Sequence, residues 1–346
     1  MTTQDKEKKD ALLEVRDLRV HFQVKVPWPK LKGTTVLTKI RQTFATNNAT
    51  VKAVDGVSLT IQRREALGLV GESGCGKSTL GRALLQLINP KSGNVVFDNV
   101  DLSSLAPGKL RQMRRRIQMI FQDPYASLNP RMNVGDALEE PLQIFNLEKG
   151  RRKEFVADLL RKVGLPEDSR EKYPHEFSGG QRQRIGIARA LALKPDFIVC
   201  DEPVSALDVS IQAQIVNLLG RLQKTESLTY LFISHDLRVV EHLCDRVLVM
   251  YLGRVVEVGT CDHIYKAPKH PYTRALLESI PQLEKTPGDK EPAPLVGDVP
   301  SPLNPPTGCP FHPRCPIPDK PLACSQEVPK LRQFPGGTQA ACHLAE

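Results

Sequence analysis

Long apolar stretches are missing from the 346-residue sequence, and no run approaches the roughly 18 residues that a membrane-spanning helix needs. The first residues are mostly charged or polar and lack the apolar core of a secretory signal, so we expect no such signal. We predict that residues 1–10 form a mobile tail. Eight cysteines over this length do not make a small disulfide scaffold. Because 40% hydrophobic and 25% charged residues also exclude a largely disordered chain, we expect a globular cytoplasmic protein.

The charge balance is basic, with 48 Lys and Arg residues against 39 Asp and Glu and a formal net charge of +9. This balance is compatible with nucleic acid, anionic lipid or phosphate partners and does not choose among them. Acidic residues are absent from residues 24–50, which carry five Lys and Arg residues together with Trp28 and Phe44. We interpret this basic insertion as a solvated hairpin; a surface that rests on lipid headgroups or on a membrane partner is the alternative.

The apolar pattern predicts two kinds of strand. Residues 18–22 and 57–61 alternate apolar and polar side chains, which is the period of half-buried strands. Residues 66–70, 197–200 and 231–233 are continuously apolar, as in parallel strands that are buried between helices. The predicted fold class is therefore α/β.

Composition shifts divide the chain further. Residues 135–146 and 152–163 combine helical spacing with many charges, so we predict an inserted helical subdomain over about 126–190. Proline becomes dense after about residue 268, and periodicity is lost there. The predicted organisation is one domain over residues 11–268 and a C-terminal extension over residues 269–346.

A glycine-rich loop follows the predicted strand at 66–70. Gly71-Glu-Ser-Gly-Cys-Gly-Lys-Ser78 matches the pattern G-x-x-x-x-G-K-[ST] and precedes a helical stretch. Glycines let consecutive N–H groups point into one concavity that, with the helix N-terminus, binds phosphate. Lys77 is predicted to reach the β- and γ-phosphates, and the Ser78 hydroxyl to ligate Mg²⁺. The predicted ATP-binding residues of this loop are Gly71, Glu72, Ser73, Gly74, Cys75, Gly76, Lys77, Ser78 and Thr79.

Ionisable side chains end the other two apolar strands. Asp201 follows residues 197–200 and is predicted to order the Mg²⁺ shell. Glu202, next to it, is placed to orient or deprotonate an attacking water. His235 follows residues 231–233, at the carboxyl edge of the sheet where ligands of α/β proteins bind, and is predicted to contact the γ-phosphate.

A second glycine turn, Phe177-Ser-Gly-Gly-Gln181, opens another helical run. Such a helix N-terminus can bind an anion, and one nucleotide does not need two such sites from one chain, so we expect this turn to complete a site on another chain. With these motifs in this order, the sequence resembles the ATP-binding subunits of ABC transporters over nearly its whole length. Phe177 replaces the Leu of their signature, whereas Ser178 and Gly180, which face phosphate, are kept.

The resemblance implies a fold and further site residues. The fold would be a P-loop NTPase of ABC type, with a RecA-like core sheet, an antiparallel β subdomain and an inserted helical subdomain. Phe22 matches the aromatic residue that stacks on adenine, and Asp208 matches the D-loop aspartate. Gln122 matches the Q-loop glutamine at the Mg²⁺ and water site, and His235 matches the switch histidine. Catalysis is thus assigned to Glu202, His235 and Gln122, and Mg²⁺ binding to Ser78, Gln122 and Asp201.

The same resemblance implies how ATP acts. Two ATP-binding chains would form a head-to-tail dimer that holds each ATP between the phosphate loop of one chain and the signature of the other. ATP binding would close the dimer, and hydrolysis and release would reopen it. The signature residues that would contact the ATP of the partner are Ser178, Gly179, Gly180 and Gln181.

Longer motifs narrow the resemblance to importers of dipeptides and oligopeptides, closest to their "F" ATPase subunit. They are the phosphate loop with its Thr-Leu-Gly-Arg continuation, the run after Phe121, His270-Pro-Tyr-Thr-Arg274 and Ser301-Pro-Leu-Asn-Pro-Pro306. The resemblance implies a paralogous "D" ATPase partner, two transmembrane permeases and an external substrate-binding protein. It also implies a peripheral position on the cytoplasmic face of the inner membrane, in which the basic charge lies against anionic lipid and needs no nucleic acid.

Four cysteines, Cys309, Cys315, Cys324 and Cys342, lie in the proline-rich extension. The extension has too few apolar residues for its own core, and four thiolates around a metal would supply cross-links. Zinc ribbons favour C-x2-C pairs, which are absent here, and four unpaired thiolates also suit a [4Fe–4S] cluster. The subfamily resemblance favours the cluster. Zinc, with His312 and His343 as further candidate ligands, and plain thiols are the alternatives.

Two other functions are weighed against an importer ATPase. A soluble ABC protein that acts on ribosomes or nucleic acid would suit the basic charge, but such proteins usually carry both ATP sites in one chain or a long coiled coil. A redox sensor would make the extension the main functional part. A small-molecule kinase with the same phosphate loop is excluded by the signature at Ser178–Gly180. In this family the cargo passes through the permeases and the binding protein, so no residue of the ATPase subunit contacts it. Relatives with similar ATPases move peptides, haem, metal chelates or sugars, and among these we expect peptides.

Overall fold

The structure is a computed structural model, and it describes residues 11–27, 46–123, 125, 127–279 and 297–346. The predicted tail at 1–10 and most of the basic insertion lie outside these ranges. The described strands are β1 (Ala11–Pro27), β2 (Thr46–Gln62), β3 (Ala66–Val70), β4 (Ser92–Phe97), β5 (Val100–Asp101), β6 (Ile117–Ile120), β7 (Phe197–Asp201), β8 (Thr229–Ile233), β9 (Arg246–Tyr251), β10 (Arg254–Thr260), β11 (Arg332–Gln333) and β12 (Gln339–Ala340).

Helices connect these strands and cover the sheets. The described α-helices are α1 (Lys77–Leu84), α2 (Pro107–Met113), α3 (Val134–Ile144), α4 (Arg152–Lys162), α5 (Gly179–Leu191), α6 (Val209–Thr225), α7 (Leu237–Leu243), α8 (Cys261–Lys266), α9 (Pro271–Glu278) and α10 (Ala323–Gln326). Short 3₁₀ turns occur at Leu102–Ser104, Glu167–Glu171, Pro174–Glu176, His312–Arg314 and Pro335–Gly337.

The described strands form two sheets. The first is antiparallel in the order β2-β1-β4-β5, and the second is mixed in the order β11-β12-β10-β9-β3-β8-β7-β6. In the second sheet β3 runs parallel to β8 and β9, and β7 runs parallel to β6 and β8. Both kinds of predicted strand are confirmed, because the alternating segments lie in β1 and β2 and the continuously apolar ones are β3, β7 and β8.

The central strand β3 shows why its sequence is apolar throughout. Leu67 and Leu69 pack into a core between the mixed sheet, the antiparallel sheet and α1. Ala66 and Val70 point the other way, into a core shared with the helices of the other face. All five residues of the strand are buried, as expected of a parallel strand that is covered on both faces.

Helices α3, α4 and α5 lie in the stretch predicted to be a helical subdomain. Their apolar faces pack together through Leu138, Leu159 and Ile185, all nearly inaccessible to solvent. Asn133 caps α3, because its side chain accepts a hydrogen bond from the Asp136 N–H at 2.7 Å. The sequence pattern of apolar stripes with charges between them thus corresponds to packed amphipathic helices.

The C-terminal extension packs onto the mixed sheet. Its strand β12 pairs antiparallel with β10, through Ala340 opposite Glu257 and Gln339 opposite Val258. Phe311, 1% exposed, belongs to the same hydrophobic core as the helices on that face. The extension therefore obtains apolar burial from the main domain, which its own sequence is too polar to supply.

In the basic insertion, the described residues extend both flanking strands. β1 and β2 pair antiparallel as far as Pro27 opposite Thr46. The described ends of the segment are therefore two paired antiparallel strands, and residues 28–45, on which the interpretation of the insertion rests, lie outside the described residues.

Candidate functional site

The phosphate loop connects the carboxyl end of β3 to the start of α1. Gly76 has φ +105°, and a Cβ atom there would lie 2.0 Å from the Ala53 carbonyl oxygen, so the loop requires glycine at this position. Lys77 is buried, and its Nζ donates to the carbonyl oxygens of Gly71 at 2.7 Å and Glu72 at 3.0 Å. Two loop carbonyl oxygens therefore hold a buried ammonium group at the start of α1, and a cation in such a glycine-rich loop suits a polyphosphate.

The loop forms one side of a cavity of about 320 Å³. Most of the predicted ATP-binding loop lines this cavity, together with the predicted catalytic residues Gln122 and Glu202. Residues that were not predicted to bind nucleotide complete the lining: Val51, Lys52, Ala53, Leu252, Gly253 and Pro302. Pro302 belongs to the C-terminal extension, so the extension contributes directly to this cavity.

The predicted Mg²⁺ ligands Ser78 and Asp201 contact each other. The Ser78 hydroxyl donates to Asp201 Oδ1 at 2.6 Å, across 123 residues of sequence. Burial raises the pKa of Asp201, and the hydrogen bond from Ser78 and the Arg82 guanidinium, 3.6 Å away, oppose this rise. Hydroxyl and carboxylate oxygens are ligands that Mg²⁺ prefers, so the pair has the donor chemistry that the predicted Mg²⁺ site requires.

Glu202 lies at the centre of the predicted catalytic group. Its Oε2 accepts a hydrogen bond from Gln122 Nε2 at 3.0 Å, and His235 Nδ1 lies 3.3 Å from the same oxygen. The three residues follow β6, β7 and β8, which are neighbours in the sheet, so the strand order brings their side chains together. Glu202 also has φ +46°, a conformation that is unfavourable for a residue with a side chain and is common at functional sites.

The signature turn lies at the N-terminus of α5. Ser178 Oγ accepts from the Gln181 N–H at 3.3 Å, and Gln181 Oε1 accepts from the Ser178 N–H at 3.0 Å, a reciprocal capping box. A Cβ on Gly180 would lie 2.4 Å from Ile211 Cγ2, which explains why glycine is needed there. Among the described residues that line the nucleotide cavity, none belongs to the turn Ser178–Gln181.

Two other predicted residues have positions outside the cavity lining. Phe22 is 38% exposed on β1 and pairs with Val51, a lining residue, so it lies at the edge of the cavity. Asp208 caps α6 by accepting from the Ile211 N–H at 3.0 Å. Beside it Val209, in the first turn of α6, is 81% exposed.

The four cysteines of the extension converge. Cys309, Cys315, Cys324 and Cys342 line one small cavity, together with His270, His312 and His343. The pKa of Cys309 is raised to about 11, mainly by burial and to a smaller extent by the other three thiols, against the opposing effect of a hydrogen bond with the Phe311 main chain. Even so, the described residues contain no group of three or more His, Cys, Asp or Glu side chains arranged to hold a metal ion.

An unpartnered polar atom also lies at the cysteine cavity. His270 is 1% exposed, and its Nδ1 accepts from the Tyr272 N–H at 3.1 Å, which leaves the proton on Nε2. Nε2 is buried and has no hydrogen-bond partner among the described residues. Leu344 N donates to Cys342 Sγ at 3.4 Å, the kind of contact that supports a thiolate. The donor set is therefore compatible with a bound group that has acceptor atoms.

Sequence reasoning missed the residues that join the extension to the phosphate loop. Arg314 forms an ion pair with Glu72 in which two nitrogens contact two oxygens, at 2.7 and 3.0 Å. Tyr272 Oη accepts a hydrogen bond from the Glu72 N–H at 2.9 Å. The sequence signal for this contact was weak, because it consisted only of Arg314 being the single Lys or Arg residue between Cys309 and Cys315.

Comparison with known proteins identifies the family to which the chain belongs. Residues 54–205 match the ABC transporter family, and residues 256–321 match the oligopeptide/dipeptide transporter C-terminal region. The probable peptide ABC transporter ATP-binding protein y4tS of Sinorhizobium fredii is 50% identical over 97% of this chain and 90% of its own. The oligopeptide transport ATP-binding protein AppF of Bacillus subtilis is 48% identical over 97% of this chain and 98% of its own.

Among solved structures, a dimeric ATP-binding cassette in a post-hydrolysis state with ADP and Pi bound is similar, with a TM-score of 0.59 and 27% identity. The similarity covers 72% of this chain and 98% of that one. The site and fold therefore define an ABC-type ATPase, for which ATP and Mg²⁺ are the expected cofactors. This chain belongs to the family of ABC transporter ATP-binding proteins, in the group that carries the oligopeptide/dipeptide transporter C-terminal region. None of the described helices is both long and apolar enough to span a bilayer.

Proposed function

We propose that this protein is the ATP-hydrolysing subunit of an importer for dipeptides or oligopeptides. The observation that carries the proposal is that peptide-transport relatives match nearly the whole chain, the C-terminal extension included, at about half identity. The extension matches a region named for these transporters, whereas the phosphate loop alone would suit many ATPases.

The side chains around the cavity support a division of labour in hydrolysis. Ser78 and Asp201 provide oxygen ligands for Mg²⁺, with Gln122 near the same shell. Glu202 orients and polarises the attacking water, and its 3.0 Å contact from Gln122 directs the carboxylate. His235, close to Glu202 and half exposed, contacts the γ-phosphate once a nucleotide fills the cavity.

A second ATP-binding chain completes each site in this proposal. The signature turn Ser178–Gln181 lies outside the lining of this chain's own cavity, and its helix N-terminus is available to a nucleotide held by another chain. Asp208 and the exposed Val209 lie at the start of the neighbouring helix and would be covered by such a partner. We assign the partner role to a paralogous "D"-type ATPase.

The membrane partners follow from the same assignment. A groove between β6 and the helical subdomain is lined by apolar and polar residues, among them Ile120, Phe121 and Pro141, and Phe121 is 42% exposed. A short helix from one of the two permeases would dock there, next to Gln122, so that nucleotide state is transmitted to the channel. The protein would then lie peripherally on the cytoplasmic face of the inner membrane, with a binding protein on the outer side supplying cargo.

We further propose that the cysteine cavity holds a [4Fe–4S] cluster, with zinc as the alternative. The support is the convergence of four cysteines on one cavity and the unpartnered Nε2–H of His270, which a thiolate or sulfide would accept. The lack of a preformed ligand group in the described residues counts against it, because metal binding would require the thiols to move together. Bound there, such a group would cross-link the extension.

Two experiments test these proposals separately. Tagged protein purified from native membranes in mild detergent is expected to co-purify with a second ATPase and two polytopic permeases. Recovery with ribosomal or nucleic-acid proteins instead would contradict the importer.

Anaerobic purification followed by iron, sulfide and zinc analysis tests the cluster. About four iron and four sulfide per chain, lost in Cys309→Ser, would support it. Stoichiometric zinc or metal-free thiols would overturn it and leave the importer untouched.

A further inference from the structure

The C-terminal extension contacts the phosphate loop through Arg314, which pairs with Glu72. Arg314 lies in the 3₁₀ turn His312–Arg314, directly before Cys315, and its side chain is only 6% exposed. Nη1 donates to Glu72 Oε2 at 2.7 Å and Nη2 to Glu72 Oε1 at 3.0 Å. Two parallel contacts between a guanidinium and a carboxylate fix direction as well as distance.

Aromatic residues hold this ion pair in place. Arg314 Nη1 also donates to Tyr251 Oη at 3.3 Å, and the Glu72 N–H donates to Tyr272 Oη at 2.9 Å. The rings of Tyr251, Tyr272 and Phe311 pack against each other with centroids 4.6 to 5.4 Å apart. Glu72 is therefore held at its main chain and at its carboxylate by residues far along the sequence.

Glu72 is in turn joined to the phosphate-binding lysine. The Glu72 carbonyl oxygen accepts from Lys77 Nζ at 3.0 Å and from the Cys75 N–H at 3.3 Å. A shift of Glu72 would change the curvature of the loop and the position of the ammonium group. The contacts form a chain from Arg314 through Glu72 to Lys77.

Charge gives Arg314 a second effect. A carboxylate at the start of a phosphate loop would repel the triphosphate, and Glu72 is only 24% exposed, so water screens it incompletely. The Arg314 guanidinium compensates this charge at hydrogen-bond distance. Removing Arg314 would leave a partly buried, unpaired negative charge beside the nucleotide site.

We propose that Arg314 is a positioning residue for nucleotide binding, which fixes Glu72 and neutralises its charge so that the phosphate loop accepts ATP. The C-terminal extension is then a working part of the nucleotide site. The proposal needs only that the chain binds ATP, and it holds whatever the cargo and whatever the cysteines bind.

The test is a double-mutant cycle on the full-length chain. Kd for a fluorescent ATP analogue with Mg²⁺ is measured for the parent, Arg314→Gln, Glu72→Gln and the double variant. Arg314→Gln is expected to raise Kd by about tenfold, a typical coupling between linked sites. The double variant is expected to return to within about threefold of the parent, because the repelling charge is gone. Arg332→Gln is the matched control. Arg332 lies in the same extension and donates hydrogen bonds to the Cys342 and Ala345 carbonyl oxygens, away from Glu72. The Kd of this variant should match that of the parent.

The outcomes separate positioning from a merely structural role. An unchanged Kd in Arg314→Gln, or a double variant as weak as Arg314→Gln alone, would overturn the proposal, because general loss of structure is not rescued by removing Glu72. If Arg314→Gln does not fold, Arg314→Lys replaces it, since lysine keeps the charge and loses the paired geometry. Its Kd should then rise about threefold and recover in the Glu72→Gln background; no rise would count against the proposal.

Discussion

The phosphate loop and the cysteine-containing extension lie against each other in the structure, yet they are built differently. The loop depends on residues close in sequence: Gly71 and Gly76 lie between β3 and α1, and Lys77 and Ser78 begin α1. The extension depends on contacts across long separations, such as Arg314 with Glu72, which are 242 residues apart. A locally encoded site can be recognised from a motif, whereas a region attached by long-range contacts is defined only by the fold that it packs on.

The largest expected effect is a loss of ATP hydrolysis at the nucleotide site, with the extension left unchanged. Glu202→Gln removes the base but keeps the Mg²⁺ ligands and the phosphate loop, so turnover should fall by about 10²- to 10⁴-fold while ATP stays bound. Steady-state hydrolysis and nucleotide binding are measured in parallel, with trapping of a closed dimer as a third readout.

Glu154→Gln, on the surface of α4, is the matched control for that variant and should hydrolyse ATP like the parent. Parental turnover in Glu202→Gln would show that another group acts on the water.

The next effect tests whether the extension shares the core of the main domain. Phe311→Ala removes a ring that is 1% exposed and packs on Tyr251, Tyr272 and His270. We expect the free energy of unfolding to fall by about 4 kcal/mol, measured by urea denaturation. Leu322→Ala in the same extension, at a side chain 74% exposed, should cost little. If Phe311→Ala unfolds the extension in a separate transition and leaves the unfolding transition of the main domain unchanged, the proposal of a shared core is contradicted.

Lys77→Ala weakens ATP binding without removing the base. The loss of a buried ammonium group from the phosphate loop should raise Kd for ATP by roughly 30-fold, as for a hydrogen bond to a charged group. Equilibrium binding measures this, and Lys330→Ala, an exposed lysine of the extension, should bind normally. Binding as tight as the parent's in Lys77→Ala would contradict the assignment of this loop.

The smallest effect concerns another long-range link, Asp55 of β2 with Arg254 of β10 at 2.5 Å. Burial raises the pKa of Asp55, but Arg254 and the hydrogen bond from His21 outweigh it and lower the pKa overall. The folded state therefore binds this proton less readily than the unfolded chain. The stabilisation from this pair is present above the ordinary carboxyl pKa of about 4 and is lost as the pH falls through the lower folded-state value.

Unfolding free energies at pH 7 and pH 3 test this, with Asp55→Asn expected to lose the part of the pH dependence that belongs to this residue. Asp298→Asn, at an exposed position, should leave the pH dependence as it is in the parent. An Asp55→Asn profile parallel to that of the parent would show that the ion pair does not contribute.

The comparison also explains which features could be predicted from sequence. β3, β7 and β8 are apolar because both faces are buried, and the polar residues that follow them meet because parallel strands end at one sheet edge. Glu202 and His235 were therefore predictable as neighbours. The pairing of β12 with β10 was not, because a strand of two residues carries no period. The contribution of Pro302 to the cavity was also beyond prediction, since proline density indicates a loop and not where that loop packs.

Peptide uptake by cells tests the central claim most directly. Cells that lack the chromosomal copy would receive the parent or Glu202→Gln, and the entry of a radiolabelled mixture of dipeptides and oligopeptides would be followed over time. The account predicts ATP-dependent uptake with the parent and none above background with Glu202→Gln, at equal protein levels. Uptake that is the same with either chain, or with neither, would contradict the assignment of this protein to peptide import.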